Sequence, residues 1–250
     1  MATDHDGHDP TFRSSLDPVI TEDLPAFLEE AERQPRRVVI LHAKAAPSTS
    51  ELRRYCLALG GIRQFDAAGE VRTVRNDPSI PDSTAMSLSA LALHTDGAFL
   101  PQPPARFMLS FSSADGSGGG VSIFMPVARI LAAAPDWALE ALFAADYRFV
   151  RTYDGDLTDS HVGPVLYRTG GAPRIRWRSD DIWRPPVVDA HGTKAEDAVN
   201  WLHDYLSQAR PLSYAAETGE TPLVPNTVML HGRTSLSHGS AREVLRAWVA

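Results

Sequence analysis

The sequence predicts an α+β protein with a mainly β core, a barrel or sandwich of short strands with helices packed outside it. Three observations lead there. From about residue 87 to the C-terminus, short extended runs recur between turn-forming residues. Helical periodicity is confined to four segments, two ahead of that region and two within it. The 250 residues, 43% hydrophobic and 22% charged, contain no clear internal linker, which suits one folding unit with a sizeable core rather than two.

Taken in order, residues 1 to 17 hold few apolar positions and cannot bury enough surface to offset the entropy of ordering. A disordered tail is expected there, ahead of a single domain over 18–250. Leu24, Phe27, Leu28 and Ala31 then fall on one helical face behind Thr21 as N-cap. A strand follows over Arg37 to His42. Ser48 and Glu51 stand in capping-box spacing before the stripe Leu52, Tyr55, Cys56, Leu59, and Gly60-Gly61 stops the helix. The extended runs are Leu91 to His94, Phe107 to Phe111, Val121 to Met125, Tyr147 to Tyr153, Val165 to Thr169, Arg174 to Arg178, Thr227 to Leu230 and Arg242 to Val249. Helical spacing returns over Val127 to Ala145 and Ala195 to Ala209. The Gly- and Ser-rich stretch Ser112 to Gly120 reads as a turn.

Composition narrows the function classes. Lys and Arg number 24 against 31 Asp and Glu, a net charge of -7, so the cationic surface that a nucleic acid demands is missing. A single cysteine, Cys56, removes any disulfide framework and any multi-cysteine metal site. Apolar runs fall short of the roughly 20 residues that span a bilayer, and Met1 to Pro10 has no apolar signal core. The expectation is a cytoplasmic protein acting on a small molecule, with its oligomeric state open.

Three stretches carry chemistry. His94-Thr95-Asp96 ends an apolar run, and on a strand positions i and i+2 share a face, so both side chains can grip one ion. Imidazole plus carboxylate suits a divalent transition metal, and a third ligand would complete a facial triad. Alone, one such triplet is expected by chance in a chain with nine histidines. His231 follows another apolar run and precedes Gly232, whose missing Cβ lets backbone come close; a hydrogen-bonded structural histidine is the plain alternative. In the C-terminal run, Arg242, Val244, Arg246 and Trp248 share one face if it is a strand, and inward arginines demand an anion. Read as a helix, the same arginines form a solvated i,i+4 row.

In this order the pieces resemble the taurine dioxygenase-like family of Fe(II)/2-oxoglutarate-dependent oxygenases. His94-x-Asp96 is followed after 25 residues by Ser122, then by His231, then after 10 more by Arg242. The local text agrees: Asp96-Gly97 ahead of Pro103-Pro104, Gly119-Gly120-Val121-Ser122, Asn226 to Thr234, and Arg242-x-x-x-Arg246-x-Trp248. The resemblance covers about residues 69 to 250. It implies a double-stranded β-helix, or jelly-roll, with His94, Asp96 and His231 holding Fe(II). It further implies that 2-oxoglutarate chelates the iron, with its far carboxylate on Arg242 and on Ser122, where Thr is the commoner family choice. Dioxygen is the second cosubstrate, and succinate and carbon dioxide are the coproducts. Asp96 argues for hydroxylation over halogenation, since related halogenases carry a small residue there. Desaturation, epoxidation and ring closure share the same opening chemistry and stay open, as does a catalytically silent metal-binding protein on the same fold. A His/Asp/His zinc hydrolase leaves Arg242 and Ser122 unexplained. The substrate is expected to be a small polar molecule, an amino acid or related specialised metabolite, met by Arg246 and by Arg176 or Arg178.

Overall fold

In the computed structural model, residues 16–64, 69–77, 84–144, 146–153, 156–179, 187–188 and 192–250 are described. In chain order the elements are β1 (Val19–Thr21), α1 (Leu24–Arg33), β2 (Val39–His42), α2 (Thr49–Ala58), β3 (Ile62–Arg63), β4 (Val71–Arg75), β5 (Leu91–His94), β6 (Arg106–Ser113) and β7 (Ser122–Pro126). There follow α3 (Val127–Ala133), α4 (Asp136–Ala144), β8 (Tyr147–Tyr153), β9 (Asp156–Gly163), β10 (Leu166–Thr169), β11 (Ala172–Ile175), β12 (Val187–Val188) and α5 (Gly192–Gln208). The chain closes with β13 (Leu212–Tyr214), β14 (Glu220–Val224), β15 (Met229–Arg233) and β16 (Glu243–Val249).

Two sheets dominate. A seven-stranded sheet runs β1-β2-β14-β6-β16-β3, with β4 also paired to β16, and a four-stranded sheet runs β13-β7-β15-β5. Strand alternation sorts their side chains into layers. Ile40, Phe107, Val224 and Trp248 of the large sheet meet Phe124, Tyr214 and Met229 of the small one in an inter-sheet core. The opposite faces of those strands, Val39, Leu41, Met108, Leu223, Leu245 and Ala247, pack under α1 and α2. On the far side, Ile123, Met125 and Leu230 pack against α3, α4 and α5. The result is helix, sheet, sheet, helix. Among the described residues the two sheets are separate ladders rather than one closed barrel.

The local signals mostly hold, with instructive departures. Ser48 and Glu51 form the capping box of α2. The α1 cap is Asp23 rather than Thr21; its carboxylate accepts from Ala26 N, with Pro25 in the first turn. The helix expected over Val127 to Ala145 is two helices. Pro135 cannot donate to a preceding turn and pushes Ala134 to an extended ψ of 132°. β14 gives no alternation signal because all five of its residues are buried, and Pro222 sits within it. The expected strand Arg174 to Arg178 stops at Ile175. Of the expected tail, residues 1–15 lie outside the described set, whereas Leu16 is buried and donates its N–H to Ser213 O. No helix among the described residues is long and apolar enough to cross a membrane.

Candidate active site

The inter-sheet gap ends in a buried polar cluster. β15 pairs with β5 so that His231 stands directly opposite His94, which brings the two rings to 4.2 Å between centroids. Gly232 makes that approach feasible: a Cβ there would run into the Leu91 carbonyl and lie 3.0 Å from Ala92 O. The turn after β5 is pinned from two sides. Thr95 N donates to Trp177 O, and Trp177 N donates back to Thr95 Oγ1. Asn226 clamps the Asp96 backbone, its Oδ1 accepting from Asp96 N at 2.8 Å and its Nδ2 donating to Asp96 O at 3.0 Å. Asn226 also donates to Pro104 O.

With the backbone fixed, the side chains converge. Asp96 Oδ1 lies 3.5 Å from His94 Nε2 and 3.5 Å from His231 Nε2. The three residues are buried, and one donor atom from each falls within 4.8 Å of the others. His94 Nδ1 is 2.9 Å from Ala92 O, which places its proton on Nδ1 and leaves the Nε2 lone pair facing the cluster. Burial, with His231 alongside, pulls the His94 pKa down to about 4, and burial lowers that of His231. Both imidazoles are therefore neutral and able to act as ligands at neutral pH. For Asp96, burial alone would favour the neutral acid, but Arg246 and the two imidazoles outweigh it and hold the carboxyl well below its usual range. Two neutral nitrogens and an ionised oxygen that accepts no hydrogen bond of good geometry fit a divalent transition metal.

β16 approaches from the other sheet. Trp248 Nε1 donates to Asp96 Oδ2 at 2.8 Å, and Arg246 Nη2 lies 2.8 Å from Oδ1. Arg242, at the head of the same strand, is buried, and its Nε has no hydrogen-bond acceptor. Its guanidinium stacks 5.2 Å from the Phe111 ring centre. Burial, with Arg233 nearby, brings its pKa down to about 10. A Cβ on Gly120 would stand 3.2 Å from Arg242 Cδ, so the Gly-rich turn covers this arginine closely. Ser122, two residues on, is buried and opens β7 opposite Arg233 of β15.

The remaining candidates divide. The charge of Arg178 is felt by both imidazoles and adds to the lowering of their pKa values. Arg176 is engaged elsewhere: its guanidinium donates to the carbonyls of Ala98, Leu100 and Pro101 and sits between the rings of Phe149 and Tyr167. With the strand ending at Ile175, Arg176 and Arg178 do not form one cationic strand face. Arg176 instead ties down the loop after the metal pair, which corrects its expected place on the substrate side. Asn226 and Trp248 enter the sequence reading only as parts of motif stretches, with no role given to either. Their signals were only an Asn ahead of the distal histidine run and an aromatic on the arginine face.

The donor set and the layered β fold suit a non-haem iron oxygenase that works with 2-oxoglutarate, and the family match makes the protein one. The chain belongs to the Taurine catabolism dioxygenase TauD, TfdA family, which it matches over residues 15–248. No curated protein sequence matches it. Among solved structures it is similar to asparagine oxygenase in complex with Fe(II), 2S,3S-3-hydroxyasparagine and succinate, with a TM-score of 0.69 at 20% identity, covering 91% of this chain and 77% of that one. It is also similar to the non-heme iron oxygenase OrfP in complex with Fe and alpha-ketoglutaric acid, with a TM-score of 0.69 at 18% identity over 90% and 78% of the two chains. A second OrfP complex, with Fe, succinate and (3R,4R)-dihydroxy-L-Arg, gives 0.70 at 18% identity over 92% and 81%. At these identities the likeness is one of fold.

Proposed function

We propose that the protein hydroxylates an unactivated C–H bond of a small polar substrate, an amino acid or related specialised metabolite. In the balanced reaction, 2-oxoglutarate, dioxygen and R–H give succinate, carbon dioxide and R–OH. The observation that carries the reading is the buried cluster of His94, Asp96 and His231 together with Arg242, four residues before the Arg246 that meets Asp96 and buried with an Nε that has no acceptor. A buried guanidinium nitrogen left without an acceptor is costly, and a dicarboxylate supplies what it lacks.

In this reading the two facing sheets are the halves of a jelly-roll, and residues 18–250 form one domain. His94, Asp96 and His231 hold Fe(II), which together with 2-oxoglutarate supplies the activation of dioxygen. Arg242 and Ser122 bind the cosubstrate's far carboxylate by a charge-assisted contact and a hydroxyl donor. Arg246 and Arg178 face the substrate's acidic group. Asn226, Thr95 and Arg176 keep the metal loop rigid, which holds one substrate carbon in place. The similar structures in complex with hydroxyasparagine and dihydroxyarginine favour an amino-acid substrate. Asp96, a carboxylate where a halide would need room, favours oxygen insertion.

The test is a panel of free amino acids, their amides and small sulfonates, scored for stimulated succinate formation by wild type and by Arg246→Ala. A small acidic compound is expected to stimulate turnover, with weaker apparent affinity in the variant. Stimulation only by neutral, lipid-like or carrier-bound compounds would overturn the substrate assignment.

A further inference from the structure

The two oxygens of Asp96 are in different hands. Oδ2 accepts from Trp248 Nε1 at 2.8 Å. Oδ1 faces both imidazole Nε2 atoms at 3.5 Å, so it is the oxygen that an ion held with those nitrogens would use. Arg246 Nη2 lies 2.8 Å from that same Oδ1. Residues 246 and 248 are two apart on β16 and share a face, so one strand grips the carboxylate from both sides. Asp96 is fully buried and the Arg246 side chain is only 12% exposed, so little water screens the contact. A dication and a guanidinium on one carboxylate oxygen repel each other strongly in such surroundings.

We propose that Arg246 is the resident counter-cation of the metal-free site. It neutralises Asp96 until a divalent ion takes Oδ1 and displaces the guanidinium. Metal affinity is then set by a competition between the ion and Arg246, while Trp248 keeps Oδ2 turned away throughout. Without Arg246, the empty site would bury a carboxylate with the Trp248 hydrogen bond but without this ion pair, a costly arrangement for the fold. The inference rests on His94, Asp96 and His231 being the metal centre, and it concerns how that centre is kept when empty.

The experiment is a calorimetric titration of metal-free protein with Co(II), with no organic ligand added, for wild type, Arg246→Met, Arg246→Gln and Arg178→Met. An opposite charge at this range is worth about one to three powers of ten on a carboxylate's affinity for a competing cation. Arg246→Met and Arg246→Gln are therefore expected to bind Co(II) tighter than wild type by about tenfold or more. Arg178→Met, which removes the other cation acting on the imidazoles, is expected to gain less. A damaged fold would weaken binding, so tighter binding separates competition from a merely structural role. Equal or weaker affinity in both natively folded Arg246 variants overturns the proposal, as does an equal gain in Arg178→Met. A crystal structure of the Co(II)-loaded wild type with Arg246 still in contact with Oδ1 overturns it as well. If wild type bound no Co(II), or if His231→Ala bound it equally well, the metal-centre reading would fail and the proposal with it.

Discussion

The two sheets that face each other across the site bring opposite chemistry. The four-stranded sheet provides electron-pair donors: His94 at the end of β5, Asp96 in the turn after it and His231 on β15. The seven-stranded sheet provides cations and hydrogen-bond donors, all from the β16 segment: Arg242, Arg246 and Trp248. Their support differs too. The donor side is locked by a strand register and by hydrogen bonds to the backbone of the Asp96 turn. The cation side is made of long side chains, and at Arg242 one buried nitrogen awaits an acceptor. Metal ligands demand fixed geometry, whereas cations that meet ligands coming and going need reach. The difference teaches that loss on the donor side should be absolute and loss on the cation side graded.

Breaking the donor side should give the largest effects. His94→Ala, Asp96→Ala and His231→Ala are each expected to abolish substrate oxidation, since a facial site with two ligands retains iron poorly; turnover with iron content measured is the check. Full activity in any of the three at verified iron loading would remove that residue from the ligand set. On the cation side, Arg242→Ala should raise the KM for 2-oxoglutarate strongly. Truncating one partner of a buried charged pair costs about 2–5 kcal/mol, on the order of thirtyfold or more. An unchanged KM would move the carboxylate contact to Arg246. Trp248→Phe keeps the ring in the inter-sheet core but removes the donor to Asp96 Oδ2. It should weaken metal binding roughly tenfold with little loss of thermal stability, and a titration of the metal-free protein measures it. Ser122→Ala should raise the same KM more mildly, by about 0.5–1.5 kcal/mol for one hydrogen bond.

The smallest effect concerns a region that takes no part in the contrast. Cys56 is fully buried on the inner face of α2, and burial, with Glu70 adding to it, pushes its thiol up to about 12. Alkylation by iodoacetamide at pH 8 should therefore be very slow in the folded protein and fast in denaturant. Rapid labelling of native protein would show the α2 layer opening.

The donor side was more legible in the sequence than its supports. Period-2 spacing puts His94 and Asp96 on one face, and Gly232 signals the close approach of β5 and β15 that the register then shows. The inward face of β16 was legible as Arg242, Val244, Arg246 and Trp248 once the segment was read as a strand. The roles of Asn226 and Trp248 were hidden because they depend on contacts across 130 and 152 residues of chain, which no local pattern encodes. Arg176 was misplaced for a related reason. Alternation with Ile175 and Trp177 reads as one strand, but Arg176 N makes the last bond in the hairpin register, to Val165 O, and at Trp177 the segment turns to Thr95. β14 was hidden because burial on both faces erases alternation.

The central claim, that one sheet holds the iron and the other the cosubstrate's charge, is tested most directly by anaerobic ultraviolet-visible titration with Fe(II) and 2-oxoglutarate. Wild type should develop a metal-to-ligand charge-transfer band. His231→Ala should develop none at any concentration, and Arg242→Ala should reach the same band only at much higher 2-oxoglutarate. A wild type without the band, or an Arg242→Ala variant whose band saturates at the wild-type concentration, would contradict the account.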